Sequence, residues 1–149
     1  MANRIFRSAR EKARTISDKT VTGALLPGTA VFVGATALTQ ATAASGGRLA
    51  LLGDRDYYGL STATTEPLLT PYVSGDSGIA YLLEPDHEVV WAMAAGTYTT
   101  GQELTVAASG RLAAAAATNI VVAHYDQAGA TLAAGALADV VIANFYTKA

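Results

Sequence analysis

Short apolar runs separated by turn residues fill most of the chain. From residue 20 onwards they recur roughly every ten residues, with Gly, Pro, Ser or Asp between them. In residues 103–106 polar and apolar side chains alternate, which is typical of a strand with one buried face. This spacing predicts an all-β fold, a small β-barrel or sandwich of short strands.

Two Ala-rich stretches favour helix by propensity, because Ala is the strongest helix former. The first, residues 113–117, is short and flanked by strand-like runs, so we predict strand or loop there. The second, residues 128–138, contains Gly129 and Gly135 and is predicted to be a loop.

Residues 54–78 are polar and turn-rich, which predicts a long loop with little regular structure. Its tyrosines Tyr57, Tyr58 and Tyr72 make this loop a candidate contact surface, although the same tyrosines could pack on the body of the protein. A faint internal echo also occurs, because residues 27–33 resemble 100–106 and residues 45–50 resemble 109–113. Similar β-hairpins would explain this echo, and a duplication would explain it equally well.

The charge is divided unevenly along the chain. Residues 1–20 hold six basic and two acidic side chains, a net charge of +4, whereas the remaining residues hold four basic and ten acidic ones, a net charge of −6. The uneven division predicts a basic N-terminal arm, residues 1–19, on an acidic body, residues 20–149. Within the arm, residues 3–16 place their apolar side chains near one helical face, but so short a helix is marginal alone in water. We therefore expect an arm that is extended or forms a short helix.

Composition and motifs argue against several function classes. No cysteine is present, which excludes disulfides and Cys-based metal sites. The longest uncharged stretch, residues 20–47, holds one Pro, five Gly and six Thr, so no membrane-spanning helix is predicted. We therefore expect a chain that does not interact with membranes.

Two short motifs suggest catalysis or metal binding. In the first the residues occur in the wrong order along the chain, and in the second they point in different directions. The string 75–78, Gly-Asp-Ser-Gly, matches the nucleophile loop of trypsin-like proteases, but both His87 and His124 follow the serine instead of preceding it. Adjacent strand residues point to opposite faces, so His87 and Glu88 would not reach one metal ion together. We predict that the protein is not an enzyme and that it carries neither metal nor cofactor.

The order of turns in the middle and C-terminal parts resembles that of the head decoration, or cement, proteins of tailed bacteriophages. That family follows a Y-x-x-G-D loop with L-A-x-G and G-x-x-L segments, a Gly turn, an I-V-V-A strand and a final V-x-I strand. A Met stands at position 93, where the family often has Leu. The matching segments are residues 72–76, 84–89, 91–96, 101–104, 109–112, 120–123 and 140–142, and residues 26–28 before a β run also look similar. The likeness covers residues 20–145.

The resemblance implies a small β domain that binds the outer surface of the capsid in the virion and stiffens the shell. It implies the major capsid protein as partner and self-association, with a trimer favoured over a dimer. On this hypothesis the arm lies across the capsid protein, its arginines facing carboxylates and its apolar side chains filling dents. The predicted capsid contacts are Arg4, Ile5, Phe6, Arg7, Arg10, Lys12 and Arg14.

Two other functions stay open at this point. A basic arm also suits phosphate groups, so the chain could be a nucleic-acid-binding or internal packaging accessory protein. The acidic body and the absence of interleaved basic and aromatic side chains disfavour nucleic acid. A receptor-binding or sugar-binding β module is the third alternative, and it would need exposed aromatic side chains in a groove.

Overall fold

The computed structural model describes residues 4–9, 12–54 and 67–149, and its regular structure in this part is almost entirely β. The prediction of an all-β fold is confirmed. Twelve strands follow one another in the described ranges, with short 3-10 turns at Pro67–Leu69 and Ala108–Gly110. They are β1 Thr15–Val21, β2 Ala30–Val33, β3 Ala37–Gln40, β4 Leu49–Leu52, β5 Ser77–Leu82, β6 Glu88–Ala92, β7 Gly96–Tyr98, β8 Glu103–Val106, β9 Leu112–Ala114, β10 Ile120–Tyr125, β11 Ala130–Leu132 and β12 Leu137–Thr147.

The first five strands close into a barrel in the order β1-β3-β2-β4-β5. β1 and β3 pair in parallel, and the other four pairings, including the closing one between β1 and β5, are antiparallel. Closure leaves no open sheet edge in this barrel.

The second half of the chain repeats this topology, with β6, β8, β9, β10 and β12 in the places of β1, β2, β3, β4 and β5. Its sheet runs β6-β12-β10-β8-β9 with antiparallel pairings throughout. A parallel bridge between Met93, which follows β6, and Leu112 in β9 joins the two outer strands. We call this five-stranded sheet, whose outer strands meet through that single bridge, the second barrel. It has the same sequence of parallel and antiparallel neighbours as the first barrel, while β7 and β11 form a separate two-stranded sheet.

The echo seen in the sequence does not follow this repeat. Its members form antiparallel pairs, β2 with β4 and β8 with β9. The shared strand order, however, makes β9 the counterpart of β3 instead of β4. The echo therefore does not mark equivalent strands of the two halves.

The two barrels meet along the outer faces of β2 and β4. In β4 all four side chains are buried, which explains its uninterrupted apolar sequence. Ala50 and Leu52 point into the first barrel, whereas Leu49 and Leu51 join the larger core that includes the second barrel. Alternate side chains of β4 thus pack in two different hydrophobic cores.

Gly110 allows a close approach between the barrels. It has a positive φ of 65°, and a Cβ atom there would lie 2.5 Å from Thr29 Cγ2 and 2.6 Å from the carbonyl oxygen of Ala30. Its own carbonyl oxygen accepts a hydrogen bond of 3.1 Å from the buried indole of Trp91. Only glycine combines this backbone conformation with this spacing.

Three sequence predictions need correction. Residues 128–138 are not a plain loop, because β11 and the start of β12 lie within them. There β11 pairs with β7 and β12 pairs with β6, and these cross-strand hydrogen bonds outweigh the turn preference of the glycines. The predicted boundary between residues 19 and 20 falls inside β1, so the last residues of the arm belong to the first barrel. In the predicted loop 54–78, the range 67–78 includes a 3-10 turn and the start of β5, while residues 55–66 lie outside the described residues. Residues 113–117, predicted to be strand or loop, do contain the end of β9.

Candidate functional site

The beginning of the described chain, residues 4–9, is docked on the body and is called the N-terminal strap below. Phe6 forms an antiparallel bridge with Val89 of β6. The Val90 N–H donates to the carbonyl oxygen of Ile5 at 2.7 Å, and the Arg7 N–H donates to that of Glu88 at 2.8 Å. The strap therefore occupies the edge of β6 that β12 leaves open.

Two neighbouring apolar side chains of the strap are buried. Ile5 is 0% exposed and its N–H donates to Asp54 Oδ1 at 3.2 Å. Phe6 is 3% exposed, and its ring stacks on Tyr81 with centroids 5.3 Å apart. The edge of the Phe6 ring also meets His87 at a centroid distance of 5.2 Å. Both side chains belong to the core that joins the two barrels.

This placement decides the conformation of the arm and corrects one prediction about its contacts. Of the two expected conformations, extended or short-helical, residues 4–9 adopt the extended one, because the open edge of β6 pairs with the strap whereas so short a helix is marginal alone in water. Ile5 and Phe6, predicted to fill dents in a capsid protein, instead fill a space in their own body and are inaccessible to a partner in this conformation. Adjacent side chains of an extended segment point to opposite faces, yet Ile5 and Phe6 are both buried, which the sequence pattern did not predict.

The basic side chains of the arm stay at the surface, and two of them contact acidic groups of the body. Arg7 Nη1 lies 3.2 Å from Asp139 Oδ1, an ion pair whose two side chains are 38% and 39% exposed. Arg14 Nη1 lies 3.0 Å from Glu84 Oε1. The two ion pairs attach Arg7 and Arg14 to the body, although ion pairs this exposed add little stability.

Arg4 and Lys12 have fewer partners. Arg4 Nη2 donates to the carbonyl oxygen of Arg7 at 3.4 Å. The Lys12 ammonium is exposed and has no hydrogen bond or ion pair within the described residues. Arg10, the remaining predicted contact, lies outside those residues. The structure thus pairs Arg7 and Arg14 with acidic groups of the body, leaves Arg4 with a hydrogen bond inside the strap, and leaves Lys12 open to a partner.

The structure shows what surrounds the two motifs considered for catalysis and metal binding, residues 75–78 and the pair His87 and Glu88. The Asp76 carboxylate accepts a 3.0 Å hydrogen bond from the Val73 N–H, and Gly75 has a φ of 96°, as a tight turn requires. His87 Nε2 lies 3.7 Å from Glu84 Oε2, and its buried Nδ1 has no hydrogen-bond partner in residues 4–9, 12–54 and 67–149. Over the same ranges, no three His, Asp or Glu side chains gather as metal ligands would.

A cluster of polar side chains lies at the end of β12, and the sequence pattern did not predict it. Glu103 accepts hydrogen bonds from Lys148 at 2.9 Å and from the Tyr146 hydroxyl at 2.7 Å. The Lys148 contact first, and the Tyr146 contact second, hold the pKa of Glu103 below its ordinary value. The bond to Glu103 and, next, desolvation raise the pKa of Tyr146. The His124 ring stacks on Tyr146, and its Nε2 lies 3.2 Å from the hydroxyl.

Comparison with known proteins adds no family assignment. The described part of the chain contains no helix long and apolar enough to cross a membrane. No protein-family model matches the sequence, and no curated protein matches it significantly.

Proposed function

We propose that the chain is a structural protein of a tailed-bacteriophage virion that binds the outer surface of the capsid and stabilises the shell. Its partner on this proposal is the major capsid protein. The chain also associates with itself, with a trimer favoured over a dimer.

The observation that carries the proposal is where the residues behind the resemblance lie in the fold. Tyr72 of the Y-x-x-G-D segment is 2% exposed, and its hydroxyl donates to the carbonyl oxygens of Gly53 and Asp54. Gly110 of the Gly turn packs between the barrels and accepts the bond from Trp91. The turns that resemble the decoration family are therefore positions that build this body, which supports a related architecture rather than a chance likeness of loops.

The arm retains a role that differs from the one expected from sequence. Ile5 and Phe6 fix the strap to the body, so the basic side chains are presented from a firm surface. Holding a charged group in place lowers the entropy that a partner must overcome on binding. Among the described basic side chains predicted as contacts, Arg4 and Lys12 make no ion pair with the body, so both can meet carboxylates of a capsid protein. Each such exposed pair contributes about 0–1 kcal/mol, so many copies on one shell must act together.

Deleting the arm is a poor test, because the deletion also removes core residues and part of β1. Reversing the charge of basic side chains at the surface tests their contact with the shell without removing residues that the fold needs. We expect Arg4→Glu combined with Lys12→Glu to weaken co-sedimentation with purified shells that lack the chain, from the phage that carries its gene. The control matched in charge is Arg48→Glu combined with Arg111→Glu, two arginines of the body whose side chains have no hydrogen bond or ion pair in the described residues.

The expected result is weaker binding for the double variant, most clearly at low salt, while the body variant binds as well as the unmodified chain. Unmodified binding by the double variant would refute a role for these two residues. Absence of any shell binding by the unmodified chain would refute the proposed function. A gel shift with duplex DNA, run on the same three proteins, tests the alternative of a nucleic-acid-binding accessory.

A further inference from the structure

A cleft of about 220 Å³ opens where the two barrels meet, and both barrels line it. Leu26 and Leu69 stand on the side of the first barrel, while Arg111 and Leu137 stand on the side of the second. Sites between structural units are where proteins most often bind ligands. The strap is not part of this cleft, so the proposed capsid contacts do not use it.

The rim of the cleft exposes large apolar side chains. Leu69 is 62% exposed and Leu26 is 44% exposed, whereas their neighbours Leu68 and Leu25 are buried beneath them at 3% and 8%. Two exposed leucines above an apolar floor offer surface that a partner's apolar side chain can cover.

Arg111 places a positive charge at this apolar surface. Its guanidinium lies beside Gly135, where a Cβ atom would be 3.5 Å from Nη2. Within the part of the chain that the structure describes, this guanidinium has no hydrogen bond or ion pair, and the residues lining the cleft include no Asp or Glu. A carboxylate is the group that a guanidinium binds best, through two parallel hydrogen bonds.

We propose that this cleft is a docking site for an extended segment of another protein in which an aliphatic side chain stands beside an Asp or Glu. Size favours a peptide over a cofactor, because small-molecule sites usually occupy about 300–1,000 Å³ and this cleft is smaller. The aliphatic side chain covers Leu26 and Leu69, and the carboxylate pairs with Arg111. The inference does not depend on the proposed shell binding.

Two synthetic peptides test the inference directly. They are acetyl-Ala-Leu-Asp-Ala-amide and its isosteric partner acetyl-Ala-Leu-Asn-Ala-amide, each titrated into the isotope-labelled full chain and followed by NMR. We expect the Asp peptide to shift the amide signals of residues that line the cleft. The Asn peptide should bind about three- to fivefold more weakly, the loss expected for one partly exposed ion pair.

Two variants divide the interaction into its parts. Arg111→Gln should bind both peptides equally weakly, and Leu69→Ser should weaken both without unfolding the chain, because that side chain is largely exposed. Arg48→Gln, a loss of charge away from the cleft, should leave both affinities unchanged. The proposal is overturned if neither peptide binds, if the shifted signals lie elsewhere, or if Arg111→Gln behaves like Arg48→Gln. The titration contains no capsid, so its failure says nothing about shell binding.

Discussion

Replacing Phe6 by Ala tests whether the N-terminal strap is part of the folded core. Phe6 is 3% exposed and its ring contacts both Tyr81 and His87. Truncating a buried Phe typically costs about 3–5 kcal/mol, from lost transfer free energy and from the cavity left behind. For a chain of this length the corresponding fall in Tm is about 6–20 °C. A residue on a loose tether would cost no more than about 0.5 kcal/mol.

The matched control is Arg7→Ala, the next residue along the strap. Its ion pair with Asp139 is more than a third exposed on both sides, so its loss should cost about 0–1 kcal/mol. Urea unfolding of both variants, read by the fluorescence of the buried Trp91, gives the two free energies. Phe6→Leu keeps most of the apolar volume and should fall between them, which preserves the test if the Ala variant does not fold. Equal stability of Phe6→Ala and Arg7→Ala would refute the packing of the strap in the core.

Two further perturbations test the junction of the barrels and the cluster at the end of β12. Gly110→Ala should destabilise more than Gly101→Ala in thermal unfolding, since both positions have positive φ but only the first Cβ meets neighbouring atoms; the shared strain is about 1–2 kcal/mol and the clash adds about 1–3 kcal/mol. Equal losses would contradict the tight junction. Glu103 has a lowered pKa, so its stabilising effect is present above the ordinary carboxyl pKa and is lost as pH falls through the lowered value. Unfolding of Glu103→Gln should therefore vary less with pH in the acid range, and an unchanged acid profile would contradict the Lys148 and Tyr146 contacts.

The sequence predicted the fold class because strand spacing is a local property. Turn residues and the alternation around Leu104 report which side chains are buried, whichever strands become neighbours. The repeated barrel topology could not be predicted, because pairing between distant strands leaves little trace in short, Ala-rich runs. The sequence could not decide whether the arm is helical or extended, because the apolar pair Ile5 and Phe6 fits either conformation. Only the open edge of β6, which no local pattern reveals, decides between them.

Energetics predict that the strap stays docked in the proposed complex of the chain with a shell. Releasing it would expose Ile5 and Phe6, at a cost of about 1.5–3 kcal/mol for each side chain. New ion pairs from the freed arginines would return only about 0–1 kcal/mol each, and Arg7 would first lose its contact with Asp139. Hydrogen exchange of the Val90 amide, which donates to the carbonyl oxygen of Ile5, should therefore be equally slow in the free and the shell-bound chain. Faster exchange in the bound chain would mean that the shell supplies apolar contacts good enough to replace the chain's own core, and the basic residues would then act from a released arm rather than from a fixed surface.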